Sequence, residues 1–96
     1  MTDQVKTVKL LATLRTVAGA KDISVPVGAD ATVRDLLQSI NQINPALGAR
    51  ILEDDGQLKS GIQCIVGGRH IDWLQGLDTP VADADTLMLI PPVSGG

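Results

Sequence analysis

Two stretches near opposite ends of the chain, residues 5–14 and 86–90, are apolar on both parities, and a single stripe of helical spacing lies between them. A strand that is apolar on both sides reads as buried on both, so these two stretches are the candidates for the central strands of a sheet. With one substantial helix to cover it, such a sheet must bring the two ends of the chain together at its middle.

The intervening elements fit that frame. Residues 23–27 alternate with period two, and Pro26 suits an edge strand because it has no N–H to give to a ladder; this segment reads as the second arm of a hairpin. Thr32 and Asp35 have the spacing of a capping box, and Val33, Leu36, Leu37, Ile40 and Ile43 follow as one apolar helical stripe, which Asn44 and Pro45 stop. Residues 46–52 add a short helical turn, and Glu53, Asp54, Asp55 and Gly56 form a solvated polar turn rather than a cation site, because ligands at set offsets are missing. Residues 62–66 form a strand, Gly67 and Gly68 supply a tight hairpin turn, and residues 69–72 return. A turn-rich connection, residues 74–80, leads to the last strand. The predicted order is strand, strand, helix, strand, strand, strand.

At 96 residues the chain fits one domain, and its 44% apolar and 20% charged composition is that of a globular protein. A net charge of −3, with the basic residues dispersed, argues against nucleic-acid binding. No stretch resembles a signal sequence or a membrane span, so the expected location is cytoplasmic. Cys64 lies in an apolar run and reads as a buried structural thiol. His70 has no second ligand at metal spacing and reads as a hairpin surface residue, so no metal site is expected. Trp73, the single aromatic residue, stands at a strand-to-loop boundary and is expected over the edge of the core, with a place in a contact as the alternative.

The sequence closes on Pro91, Pro92, Val93, Ser94, Gly95 and Gly96. Two prolines favour an extended exit from the body, and two glycines contribute nothing to packing. The division expected is a folded body over residues 1–90 and an extended tail over residues 91–96. A ragged terminus is the plain reading of the glycines. The chemical reading is a carboxylate presented on an arm slim enough for a narrow channel, where conversion to an acyl-adenylate would give it a good leaving group.

The order of elements, residues 14–19 after the first strand, the segment Gly76, Leu77, Asp78, Thr79, Pro80, and above all the final six residues resemble the MoaD and ThiS family of ubiquitin-like sulfur carriers, nearest its MoaD branch. The resemblance spans essentially the whole chain. It implies an α+β fold of the β-grasp type, and a non-enzymatic role as cosubstrate. An E1-like enzyme of the MoeB or ThiF type would adenylate Gly96 with ATP and magnesium, sulfur from a persulfide would replace AMP, and a large subunit of the MoaE type would receive the thiocarboxylate to build the molybdopterin dithiolene. Gly95, Ser94, Val93, Pro92 and Pro91 would pass along the partner's channel. Arg15 would pair with a partner's acidic residues, unless it is an ordinary solvated arginine. Leu11, Leu58 and Ile90 would form an apolar docking patch, although any of them could instead be core, Leu11 and Ile90 in two-sided strands above all. The chain departs from the family in having no Phe or Tyr, with Ile90 standing before the prolines.

Rival destinations share this chemistry: sulfur transfer to thiazole, cysteine or tRNA, or an isopeptide bond from Gly96 to a lysine of a target protein. A pure interaction module, indifferent to loss of the glycines, is the remaining alternative.

Overall fold

Thr32 opens the main helix as its sequence predicts. In the computed structural model, which describes residues 4–81 and 87–92, its hydroxyl accepts from the Asp35 N–H while the Asp35 carboxylate accepts from the Thr32 N–H at 3.0 Å. The helix, α2, runs Val33–Ile43 and buries Val33, Leu36, Leu37 and Ile40. Ile43, the last member of the expected stripe, is instead exposed. Asn44 ends α2 and at once begins α3 (Pro45–Ile51), accepting from the Leu47 N–H at 3.1 Å with Pro45 in the first turn, where a missing N–H costs nothing.

The two helices cover one face of a five-stranded sheet. Its strands are β1 (Gln4–Leu10), β2 (Asp22–Val27), β3 (Gln63–Val66), β4 (Arg69–His70) and β5 (Leu87–Ile90), arranged β2-β1-β5-β3-β4. β1 and β5 run parallel at the centre, as expected, with Leu10 opposite Leu89. β2 is an antiparallel edge strand, and its Pro26 pairs with Val5. Val66 and Arg69 flank Gly67 and Gly68, both at positive φ, as a two-residue hairpin turn of mirror-image type requires. This is the α+β, β-grasp architecture. Thr86, expected to open the last strand, lies outside the described residues.

Three expectations are corrected. The first strand stops at Leu10, four residues early, and Thr13–Ala18 form a short helix, α1, that buries Leu14. The turn into α1 is closed by the Leu14 N–H donating to the Leu11 carbonyl at 3.1 Å, with Ala12 at φ 51°, the single non-glycine residue at positive φ among the described residues. Nor is β1 buried on both sides: Val8 and Leu10 enter the core, whereas Val5 is 67% exposed on the other face. Finally, the return strand ends at His70, whose Nδ1 accepts from the Asp72 N–H at 3.0 Å and opens a 3-10 turn, Ile71–Trp73. That turn directs Ile71 inward and leaves Trp73 85% exposed, so the indole is not on the core edge; Leu74 and Leu77 pack there instead. His70 is half-buried and acts as this local cap.

The segment Gly76 to Pro80 straps the sheet end to α2. Thr79, buried, donates its hydroxyl to the Gly76 carbonyl at 2.7 Å and accepts from the Gln75 N–H at 3.0 Å. Its own carbonyl accepts from the Val33 N–H at 2.9 Å, and the Val81 N–H donates to the Ala31 carbonyl at 3.1 Å. No helix among the described residues is long and apolar enough to cross a membrane.

Candidate functional site

The strand that leads into the tail has two kinds of face. Leu87 and Leu89 are fully buried against the helices, while Met88 and Ile90 alternate with them and are half-buried on the side of the sheet that none of the described helices covers. Across the ladder Ile65 pairs with Met88 and Gln63 with Ile90; on the other side Lys9 pairs with Met88. Extending the β1–β5 register by one residue sets Leu11 beside Ile90. The two-sided apolarity of β5 therefore supplies a core face and an open apolar face, on which Ile65, Met88 and Ile90 adjoin, with Leu11 half-buried just past the end of β1. Ile65 and Met88 are additions to the residues expected from the sequence. The signal that could have found them is their outward parity, which reads equally well as burial.

Leu58 is half-buried: it forms a bridge with Leu52 and packs on the core from the loop between α3 and β3. Arg15 is exposed on α1, and its Nε–H donates to the Leu10 carbonyl at 2.7 Å, anchoring the stem at the end of β1. Among the described residues no carboxylate comes within ion-pair distance of it. The charge is therefore held beside the end of β1, from which the parallel β5 also exits.

The tail root continues from Ile90. Pro91 is buried, and Pro92 is exposed beside Gly61 in the turn before β3. Val93, Ser94, Gly95 and Gly96 lie outside the described residues. A surface groove lined by Pro26, Asp30, Asp35, Ser39 and Ile43 sits by contrast at the far end of the sheet, where Val27 pairs with Gln4. Cys64 offers no alternative chemistry, because burial pushes its thiol up to about 12 and keeps it protonated.

Comparison with known proteins agrees with this geometry. The ThiS family profile matches residues 8–96. Small archaeal modifier protein 3 of Haloferax volcanii is 38% identical over 92% of this chain and 95% of its own length. A candidate sulfur carrier protein of Archaeoglobus fulgidus is 35% identical over 68% of this chain and 74% of its own. The crystal structure of SAMP1 from Haloferax volcanii superposes with a TM-score of 0.84 at 39% identity, covering 97% of this chain and all of that one. With a five-stranded mixed sheet, helices on one face and a chain end leaving from the central strand, the protein belongs to the ThiS family of small ubiquitin-like proteins.

Proposed function

We propose that the protein acts through the carboxylate of Gly96 as a ubiquitin-like protein modifier. The observation that carries this is the exit of the chain from the central strand β5, beside an open apolar face, into two prolines and a diglycine. The 38% identical relative, a small archaeal modifier protein, favours the modifier role. An E1-like enzyme would dock on Ile65, Met88, Ile90 and Leu11, with Arg15 offered to an acidic residue and Leu58 nearby as a further apolar contact. Pro91, Pro92, Val93, Ser94 and Gly95 would lie extended in its channel.

Activation begins when a Gly96 carboxylate oxygen attacks the α-phosphorus of magnesium-bound ATP held by the partner; the bond to the β-phosphate breaks, and pyrophosphate leaves. A lysine amine of the target attacks the acyl carbon, AMP departs, and the nitrogen loses its proton to solvent, leaving an isopeptide bond.

A second reading is sulfur carriage, favoured by the 35% identical candidate carrier and by the ThiS profile. Here the outer sulfur of a persulfide displaces AMP, and a second thiol cleaves the resulting acyl disulfide to release the thiocarboxylate and a disulfide. Delivery of that sulfur to a pterin by a MoaE-type subunit ranks below both, as do thiazole, cysteine and tRNA as acceptors.

Intact mass spectrometry of the protein from its host, with digestion of its conjugates, tests the proposal. Branched peptides joining Gly96 to lysine are expected; a sulfur-for-oxygen exchange at Gly96 without conjugates would move the second reading to first place. Deletion of Gly95 and Gly96 should abolish either product with the melting temperature unchanged. Persistence of the products would overturn the assignment of Gly96.

A further inference from the structure

We propose that Gly61 is a positioning residue for the tail: its bare Cα is the seat on which Pro92 rests, and this seat sets the direction in which the chain leaves the body. The inference rests on the reading of Gly96 as the reactive end.

Hydrogen bonding cannot hold the tail root in the usual way. The β3–β5 register pairs Gln63 with Ile90, and two steps further along it Gly61 falls opposite Pro92. Neither Pro91 nor Pro92 has an N–H to give to that ladder. Their carbonyls can still accept, but what the structure shows at this point is a packing contact. A Cβ built on Gly61 would lie 2.8 Å from the Pro92 Cβ and 3.3 Å from its Cγ, distances that a real side chain could not keep without moving the proline.

The turn alone does not account for this glycine. Gly61 has φ +88° and occupies the third position of a turn closed by the Ile62 N–H on the Lys59 carbonyl at 3.1 Å, a position that asks for positive φ. Gly56 and Gly68 have nearly the same angles, +86° and +87°, yet a methyl added at either would meet nothing within 4 Å. Among the described glycines at positive φ, Gly61 is the one whose missing side chain also admits a neighbour.

The consequence follows from chain stiffness. Proline φ is nearly fixed, so displacing Pro92 turns the direction in which the chain leaves the body at that residue. Were the four residues beyond it held extended in a partner's channel, about 13–14 Å of reach, a tilt of roughly 20° at the root would move the tip by about 4–5 Å, more than the ~1 Å that already impairs catalysis.

The test compares Gly61→Ala with Gly56→Ala, which imposes similar backbone strain without touching the tail. The readout is ATP–pyrophosphate exchange catalysed by the host's E1-like adenylating enzyme, with the protein as the varied substrate. Gly61→Ala should lower kcat about 10- to 100-fold with KM within about 2-fold, because the open face is untouched. Gly56→Ala should leave both within about 2-fold. Pro92→Gly should also lower kcat, and adding Gly61→Ala to it should lower kcat no further. Equal kcat for the two alanine variants, or independent losses in the double variant, would overturn the proposal. A nuclear Overhauser contact between the Gly61 Hα and Pro92 Hβ protons of the free wild-type protein decides the seat itself: its absence overturns the seat. Failure of wild-type exchange with that contact present would instead overturn the reading of Gly96.

Discussion

Replacing Gly48 by alanine sets helix propensity against packing. Gly48 lies within α3, where alanine is favoured over glycine by about 1 kcal/mol, so local propensity alone predicts stabilisation. It is also buried where α3 meets α2. A methyl at this position would fall 2.7 Å from both the Cα and the Cβ of Asn41, and would collide with its Oδ1. Carbon atoms in good contact sit about 3.5–4.0 Å apart, so the shortfall is roughly 1 Å. The side-chain oxygen can rotate away, but the Asn41 Cα belongs to the backbone of α2. Relief therefore requires the helices to separate, loosening Leu37 and Ile40 from Leu47 and Ile51, all four fully buried. Overpacking costs about 1–3 kcal/mol, and a backbone collision belongs at or above the top of that range. Subtracting the propensity gain leaves a loss of about 2 kcal/mol. In a domain of this size that lowers the melting temperature by roughly 8–16 °C. Urea unfolding followed by far-ultraviolet circular dichroism should show a lower midpoint with an unchanged slope. Gly28→Ala, where a methyl meets nothing within 4 Å, is the control and should stay within about 0.5 kcal/mol. A Gly48→Ala midpoint equal to or above wild type would refute the close approach of α2 and α3.

Two further outcomes follow from burial. The unfolded Cys64 thiol loses its proton near its ordinary value of 9.0 and the folded one only near about 12, so stability is unaffected at neutral pH and falls as pH rises through that window. The slope should approach roughly 1.4 kcal/mol per pH unit, and Cys64→Ala should remove it in urea titrations across the same range. On β5, Leu89→Ala should cost about 2–5 kcal/mol, whereas Ile90→Ala should cost under about 1 kcal/mol while weakening binding to the adenylating enzyme, as calorimetry of unfolding and of binding would report.

The parts of the fold that are legible in the sequence are those with a local chemical signature. The Thr32–Asp35 capping box and the two glycines at 67 and 68 each satisfy a backbone requirement with a residue suited to it. α1 has no such mark: its start falls on Ala12, which has no side chain to cap and occupies φ 51°, ψ −126°, a backbone region that favours glycine. The apolar run therefore reads straight through as strand. Trp73 is misplaced by the sequence for a related reason, since what turns it outward is the capping of the next turn by His70 in place of a longer hairpin. At the candidate site, composition shows that both parities of β5 are apolar. It cannot show that one of them faces no helix, which depends on α2 and α3 lying on the same side. The close approach of Pro92 to Gly61 is invisible in the sequence because the two are 31 residues apart, brought opposite only by the β3–β5 register.

That register also bears on why such a tail leaves from the middle of the sheet. If the arm is drawn into a partner's channel, as proposed above, it is pulled along its own axis. From an edge strand, the pull could peel one ladder a bond at a time. β5 instead lies between β1 and β3, joined to Leu10 on one side and to Cys64 on the other through Leu89. A pull along the strand must shear both ladders together and draw Leu87 and Leu89 out of the core. Pro91, buried at the strand's end, gives up no ladder donor that such a pull could break first. On the proposed reading, the same four residues would resist withdrawal with one face and offer Met88 and Ile90 to a partner with the other. Docking and insertion would then act on a single element, so that force applied to the arm would be borne by the core rather than by the contact with the partner.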